Sequence, residues 1–228
     1  MQWYDTLPST SGLLLEQARR GAPHGALIVA GQQTAGHGRG GKAFYSPAGG
    51  LYFSLLLREG LPPVDTLPVT PRAALAARRV LLGYGCALGV KWVNDLFRGG
   101  RKAGGILAQA AGAAVVVGMG LNLYPMADLP EELKGTATSC ADTPGTLPPP
   151  AALAEEIAGL LLAVNAEDNG PLLAEYRAAS VVLGRRISYE ENGQRMMARA
   201  LDITPTGGLV LDNGKVLTSG EIRLRHDG

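Results

Sequence analysis

Hydrophobic spacing along the chain changes several times, and each change marks an element. After a short lead ending at Pro8, Ser9, Thr10 and Ser11 offer N-cap hydroxyls ahead of Leu13, Leu14 and Ala18, and Gly21 stops the pattern, which predicts a helix. Ala26–Ala30 is a short apolar run, a strand, ending in a polar glycine-rich loop over Gly31–Gly41. Leu51–Leu57 is the next strand, and Pro71 opens an alanine- and leucine-rich helix to about Leu82, closed by Gly83 and Gly85. Val90-Lys91-Trp92 reads as a strand end running into Asn94-Asp95, Phe97–Lys102 as a turn, and Gly104–Gln109 and Ala114–Gly118 as two strands. The uncharged stretch Ala103–Ala127 is interrupted by Gln109, Asn122, Pro125 and several glycines. Two buried strands joined by a turn explain it better than a membrane span.

Residues 135–150, with four prolines, read as a loop or linker, followed by helices over Ala151–Ala166 and Pro171–Ala179. The pattern then changes to short alternating segments at Arg186–Tyr189, Arg195–Asp202, Gly208–Asp212 and Glu221–Arg225, separated by Asn-Gly or Gly-Gly signals. The expected order is a mixed α/β domain over residues 1–179 and a small all-β module over 180–228.

Composition narrows the function classes. With 46% hydrophobic and 18% charged residues, and 21 Lys+Arg against 20 Asp+Glu, neither disorder nor a nucleic-acid-coating surface fits. The balance is segregated, however. Residues 31–110 carry ten basic and three acidic residues, whereas 111–179 carry two and nine, so an anionic ligand is expected at the basic block. The N-terminus lacks the charged and apolar regions of a secretory signal, and a soluble cytoplasmic protein is expected. Cys86 and Cys140 lie in no CxxC motif and read as buried small residues, while His24, His37 and His226 are too scattered for a metal site.

Four segments carry candidate chemistry. Gly36-His37-Gly38-Arg39-Gly40-Gly41-Lys42 pairs close backbone approach with two cations suited to phosphate, but it is neither a Walker A loop nor a dinucleotide fingerprint, and a flexible loop explains it equally well. Lys91-Trp92-Val93-Asn94-Asp95 puts a cation, an amide and a carboxylate at one sheet edge, a set able to hold a nucleotide and reach Mg²⁺ indirectly; an Asn-Asp turn beside a solvated lysine is the plainer alternative. Lys102, entering the apolar Ala103–Leu107, faces either a pocket or water. Gly118-Met-Gly-Leu-Asn122 combines small residues with an amide, and an ordinary strand end is the alternative.

In their joint order, GxGRGG, KWVND, RKAGGIL and GMGLNL resemble the biotin protein ligases, in the monofunctional form without a DNA-binding domain. The resemblance starts at Ser9-Thr10-Ser11 and covers essentially the whole chain. It implies an α+β fold: a class II aminoacyl-tRNA-synthetase-like catalytic domain with a mixed sheet, followed by a small SH3-like β-barrel. It further implies that Ser9, Thr10, Ser11 and Gln33 bind the ureido ring and tail of biotin, and that Gly36, His37, Gly38 and Arg39 close over biotin and the activated phosphate. Arg39 and Lys102 would be the catalytic pair, Lys102 contacting the biotin carboxylate and the α-phosphate as they join. Arg39, Lys42, Asn94, Asp95 and Asn122 would hold the nucleotide. ATP and Mg²⁺ are the implied cofactors, with no metal ligand assigned in the protein. The implied partner is a biotin carboxyl carrier protein or domain offering a lysine. The resemblance also allows a homodimer through the catalytic sheet, with no interface legible in the sequence; DNA and membranes are not expected as partners.

The chemistry agrees with this set. ATP converts a carboxylate into biotinoyl-5′-AMP with release of pyrophosphate, and a lysine amine then displaces AMP, which requires cations and backbone donors rather than a protein nucleophile. Three departures stand out: His37 where many members carry Arg, Val93 for the usual Pro, and Phe44 for a frequent Trp. A lipoate protein ligase is the nearest rival. An octanoyltransferase lacks a matching cysteine context, a biotin-sensing repressor lacks room ahead of Ser9, and a non-catalytic nucleotide-binding module leaves Arg39, Lys102 and Asp95 unexplained together.

Overall fold

The computed structural model of the protein describes residues 1–126 and 129–224, and it forms two sheets that share one large buried cluster, with a second, smaller one under the first helix. The first element, β1 (Gln2–Leu7), lies in the lead where no element is predicted. Only Leu7 in it is buried, so this strand has no hydrophobic period to betray it. It pairs in parallel with β2 (Leu27–Gln33), and α1 (Thr10–Arg19) makes the crossover. Ser9 is the N-cap, accepting from the Gly12 amide, so Thr10 and Ser11 fall in the first helical turn and are buried.

The remaining strands of this sheet are antiparallel. β3 (Leu51–Leu57) pairs with β2 and with β7 (Ala114–Leu121). The sheet continues through β6 (Arg101–Ala111) and β5 (Asp95–Arg98) to β4 (Gly89–Lys91), in the order β1-β2-β3-β7-β6-β5-β4. Two sequence expectations are corrected here. β2 runs three residues into the expected loop and so carries Gln33. Phe97–Lys102 is not one turn but the facing ends of β5 and β6, with only Gly99-Gly100 turning, both at positive φ. Asp95 therefore opens a strand next to the sheet's edge strand β4, and of the Asn-Asp pair only Asn94 lies in the turn.

The two faces of the sheet have different fates because strand side chains alternate. Leu27 and Val29 of β2, Leu51, Phe53, Leu55 and Leu57 of β3, and Val117 and Leu121 of β7 pack with α2 (Val69–Gly83) and α3 (Pro150–Val164). Fully burying each Leu or Phe contributes about 1.5–3 kcal/mol. The opposite face, Ile28, Ala30, Tyr52, Leu56 and Val116, packs under α1 with Leu14 and Ala18. α1 covers only part of that face. The helices α2, α3 and α4 (Asn169–Ala179) begin within two residues of the positions that Pro71, Ala151 and Pro171 mark.

The second sheet is antiparallel and five-stranded, in the order β11 (Val216–Leu217), β10 (Leu209–Leu211), β9 (Gln194–Ile203), β8 (Arg186–Glu191), β12 (Ile222–Leu224). The two-residue β11 is not predicted, being too short for an alternating pattern. Arg225 at the end of the last expected strand, His226 and Ala127 lie outside the described residues. The sheets are joined firmly: the Val181 amide donates to Val90 O, Trp92 Nε1 donates to Gly207 O at 2.8 Å, and Ile187, Ile203, Leu209 and Ile222 belong to the same buried cluster as α2 and α3.

Candidate active site

Where α1 leaves the sheet uncovered there is a cavity of about 400 Å³, within the range of small-ligand sites. Its floor carries three glycines, Gly105, Gly118 and Gly120. Gly105 of β6 lies opposite Gly120 of β7, and Leu107 opposite Gly118. A Cβ on Gly120 would come within 2.5 Å of the Phe44 ring, and one on Gly118 would collide with the Ser11 hydroxyl. These glycines stand where they do because neighbouring side chains already occupy the space.

One end of the cavity is neutral and hydrogen-bonding. Gln33 Oε1 accepts from the Thr10 amide at 2.8 Å and from Thr10 Oγ1 at 3.2 Å, and Gln33 Nε2 donates to Ser46 Oγ at 3.1 Å. Ser54 Oγ, wholly buried beneath, lies 2.9 Å from both Thr10 Oγ1 and Ser11 Oγ. Ser9 Oγ stands 3.5 Å from His37 Nδ1.

The other end is cationic. Lys102 Nζ bonds Asp95 Oδ1 at 2.7 Å and lies 5.6 Å from the centroid of the Phe44 ring. Lys91 Nζ approaches the second oxygen of Asp95 at 4.0 Å over the Phe97 ring; burial pulls its ammonium below the usual lysine range, with Asp95 opposing the shift. The glycine loop crosses the mouth and docks on the second sheet's end. Arg39 Nη1 donates to Gly220 O at 3.3 Å, and Lys42 pairs with Glu221, a hydrogen bond that holds the Glu221 carboxyl below its ordinary value. Asn94 lines the cavity while its Nδ2 donates to Ile106 O at 2.9 Å, fixing the β4–β5 corner onto β6.

An elongated ligand fits this polarity, with a neutral hydrogen-bonding head and a phosphate-bearing tail. Residues 3–122, more than half of the chain, match the Biotin/lipoate A/B protein ligase family. The chain belongs to that family. It is 34% identical to the biotin–[acetyl-CoA-carboxylase] ligase of Mycobacterium tuberculosis over 94% of this chain and 85% of that one. A bifunctional ligase/repressor of Bacillus subtilis is 36% identical over 63% of this chain, and the match spans 46% of that relative's length, under half. Among solved structures, the biotin protein ligase from Aquifex aeolicus in complex with biotin and ATP superposes with a TM-score of 0.82 at 22% identity, covering 99% of this chain and 98% of that one, which shows the shared fold.

Within this ligase-family site, Ser9, Thr10, Ser11, Gln33, His37, Gly38, Arg39, Lys42, Asn94, Asp95 and Lys102 all line one cavity. Two expected residues do not. Asn122 is buried just after β7: its Nδ2 donates to Thr138 O at 2.9 Å and its backbone carbonyl accepts from the Cys140 amide, so it secures the 136–140 segment. Gly36 also stays off the lining: a Cβ there would sit 2.7 Å from Phe44 O, and its carbonyl receives the Phe44 amide, so it closes the base of the loop. Sequence reasoning missed Ser54, Gly220, Glu221 and Ile222. A single serine within the otherwise apolar Leu51–Leu57 is a legible signal for the first; Gly220 and Glu221 lie some 180 residues from the loop they meet, Ile222 follows them, and no local pattern marks the three. Among the described residues no cluster of His, Cys, Asp or Glu is able to hold a metal by itself, and no helix is long and apolar enough to cross a membrane.

Proposed function

We propose that the chain is a biotin protein ligase, activating biotin with ATP and transferring it to a lysine of a biotin carboxyl carrier protein. The observation that carries this reading is one cavity with a neutral hydrogen-bonding end and an end bearing Arg39, Lys42, Lys91 and Lys102. Ser9, Thr10, Ser11 and Gln33 hold the head of biotin. Lys102 draws the biotin carboxylate and the α-phosphate together; the carboxylate oxygen bonds to phosphorus as pyrophosphate leaves. Arg39 and Lys42 balance the negative charge, and the floor glycines let the Phe44 ring and the Ser11 hydroxyl settle against the sheet as walls of the cavity. The acceptor amine then bonds to the acyl carbon, AMP departs, and the amine proton is released. The names of the relatives and the ligands of the similar structures support the same reading.

Lipoate fits the head end less well, since its dithiolane ring offers no N–H to the oxygens of that wall. The residues fit Mg²⁺ carried on the triphosphate: Asp95, and Glu221 at the rim, are the carboxylates of the cavity lining, and phosphate-bound Mg²⁺ needs no all-protein cage. Bound there, Mg²⁺ would neutralise charge on the departing pyrophosphate.

The same proposal extends to the architecture, with a class II synthetase-like unit over 1–179, ending with α4 at Ala179, and an SH3-like barrel over 180–228. β1, an edge strand, offers a second copy a place to pair in a homodimer. We propose no DNA partner, since four of the ten basic residues in 31–110 line a cavity instead of a helix face, and we place the enzyme in the cytoplasm, with its ATP. The test is ATP–pyrophosphate exchange with biotin, lipoate and octanoate in parallel. Exchange with biotin alone is expected; exchange with lipoate alone replaces the substrate, and silence with all three overturns the adenylation chemistry.

A further inference from the structure

The hydroxyls at the head end form a chain whose proton directions can be derived. The Thr10 amide can only donate, so the atom 2.8 Å from it is the carbonyl oxygen of Gln33, which fixes that side chain's orientation. Thr10 Oγ1, 3.2 Å from the same oxygen, must therefore spend its proton there. Ser54 Oγ, 2.9 Å from Thr10 Oγ1, is left to donate to it. With that proton used, Ser54 can only accept across the 2.9 Å contact to Ser11 Oγ, so Ser11 donates inward. At the opposite end Gln33 Nε2 donates to Ser46 Oγ, which passes its own proton to Phe44 O at 2.8 Å. One backbone amide thus sets the sense of the whole chain.

We infer that Ser54, which does not line the cavity, is a positioning residue that sets ligand specificity: it turns the Ser11 proton away from the cavity, so that Ser11 presents only lone pairs there and selects a ring N–H donor on the ligand. Ser54 is wholly buried on the α1 face of β3, directly opposite Gly118, whose missing side chain leaves room for the Ser11 hydroxyl over the sheet, and Ser11 and Gly118 both line the cavity. An oxygen that only accepts distinguishes a cyclic urea from a ring of equal shape in which oxygen or N–CH₃ replaces N–H, because the replacement leaves both partners without a proton between them. This inference rests on the biotin reading above and deepens it.

The test begins with the wild-type protein in pyrophosphate exchange, comparing biotin with analogues carrying O or N–CH₃ at each ring nitrogen in turn. At one ring position wild type is expected to reject both replacements. Ser54→Ala frees the Ser11 proton to face the cavity. It is expected to raise the KM for biotin about tenfold, the value of roughly one hydrogen bond, while leaving the KM for ATP unchanged, and to admit the oxygen analogue while still rejecting the bulkier N–CH₃ one. Ser54→Thr, which keeps the hydroxyl, is expected to restore the wild-type preference, and thermal unfolding of each variant separates loss of fold from loss of selectivity. Wild-type indifference to the replacements, or a Ser54→Ala variant with wild-type selectivity, overturns the inference. If wild type gives no exchange with biotin, the functional reading itself fails.

Discussion

Gly120→Ala tests the floor of the cavity directly. The added Cβ would lie 2.5 Å from Phe44 Cε1 and 2.8 Å from Cζ. Carbon atoms settle at about 3.5–4.0 Å, so the ring has to retreat by about 1 Å. It is not free to do so. Its edge meets Tyr52 at a centroid separation of 6.4 Å, Lys102 Nζ lies over it, and its amide bonds Gly36 O at the base of the glycine loop. Overpacking of this kind costs about 1–3 kcal/mol. Charged to stability, that lowers Tm by about 3–10 °C in a chain of this size; charged to the loop, it raises the KM for biotin by about 5- to 150-fold. The assay is a double-mutant cycle with Phe44→Ala, read by thermal unfolding and by pyrophosphate exchange. Gly120→Ala is expected to be costly in the wild-type background and nearly free once the ring is gone. Costs that add to within about 0.5 kcal/mol would show that the two residues do not meet, and would refute the account of the floor.

Lys102→Met is expected to lower kcat for pyrophosphate exchange by about 10²- to 10³-fold, as for other losses of a donor at developing charge, with little change in Tm because the Lys102 side chain is 36% exposed; an unchanged kcat would remove Lys102 from the chemistry. Glu221→Gln releases Lys42, and limited proteolysis is expected to cut residues 36–42 several times faster than in wild type, while stability shifts by less than about 1 kcal/mol because both partners are largely exposed. Equal cleavage rates would mean that the second sheet does not restrain the loop. Arg79 grips Glu167 at 2.6 Å and holds its carboxyl below the usual 4.5. A depressed carboxylate stabilises the fold above its unfolded value, and the contribution is lost as pH falls through the folded value. The Tm gap between wild type and Glu167→Gln is therefore expected to close as pH falls from about 6 to 3, and a gap that persists in acid would contradict it.

What the sequence determined by itself is what acts over a few residues. Ser9 caps α1 because a hydroxyl precedes an apolar period, and the long helices start at or just before their prolines. The glycine loop, KWVND and RKAGGIL were legible as chemistry because each places charge or amide beside bare backbone, and the structure brings all three to one cavity. β1 was not legible, because an edge strand with one buried residue has no period to read. The partner of Asn122 was not legible either, because an amide's partners depend on what folds over it, here the 136–140 segment. The tertiary structure alone decided which strands pair, and a slip of one residue would send every side chain to the opposite face. That register sets Ser54 against Gly118 and Gly105 against Gly120, and it makes a floor of glycines that looked in sequence like ordinary strand ends. It also carried Gly220 and Glu221 to the mouth, because docking between two sheets follows from the complementarity of surfaces remote in the chain, which no local spacing encodes.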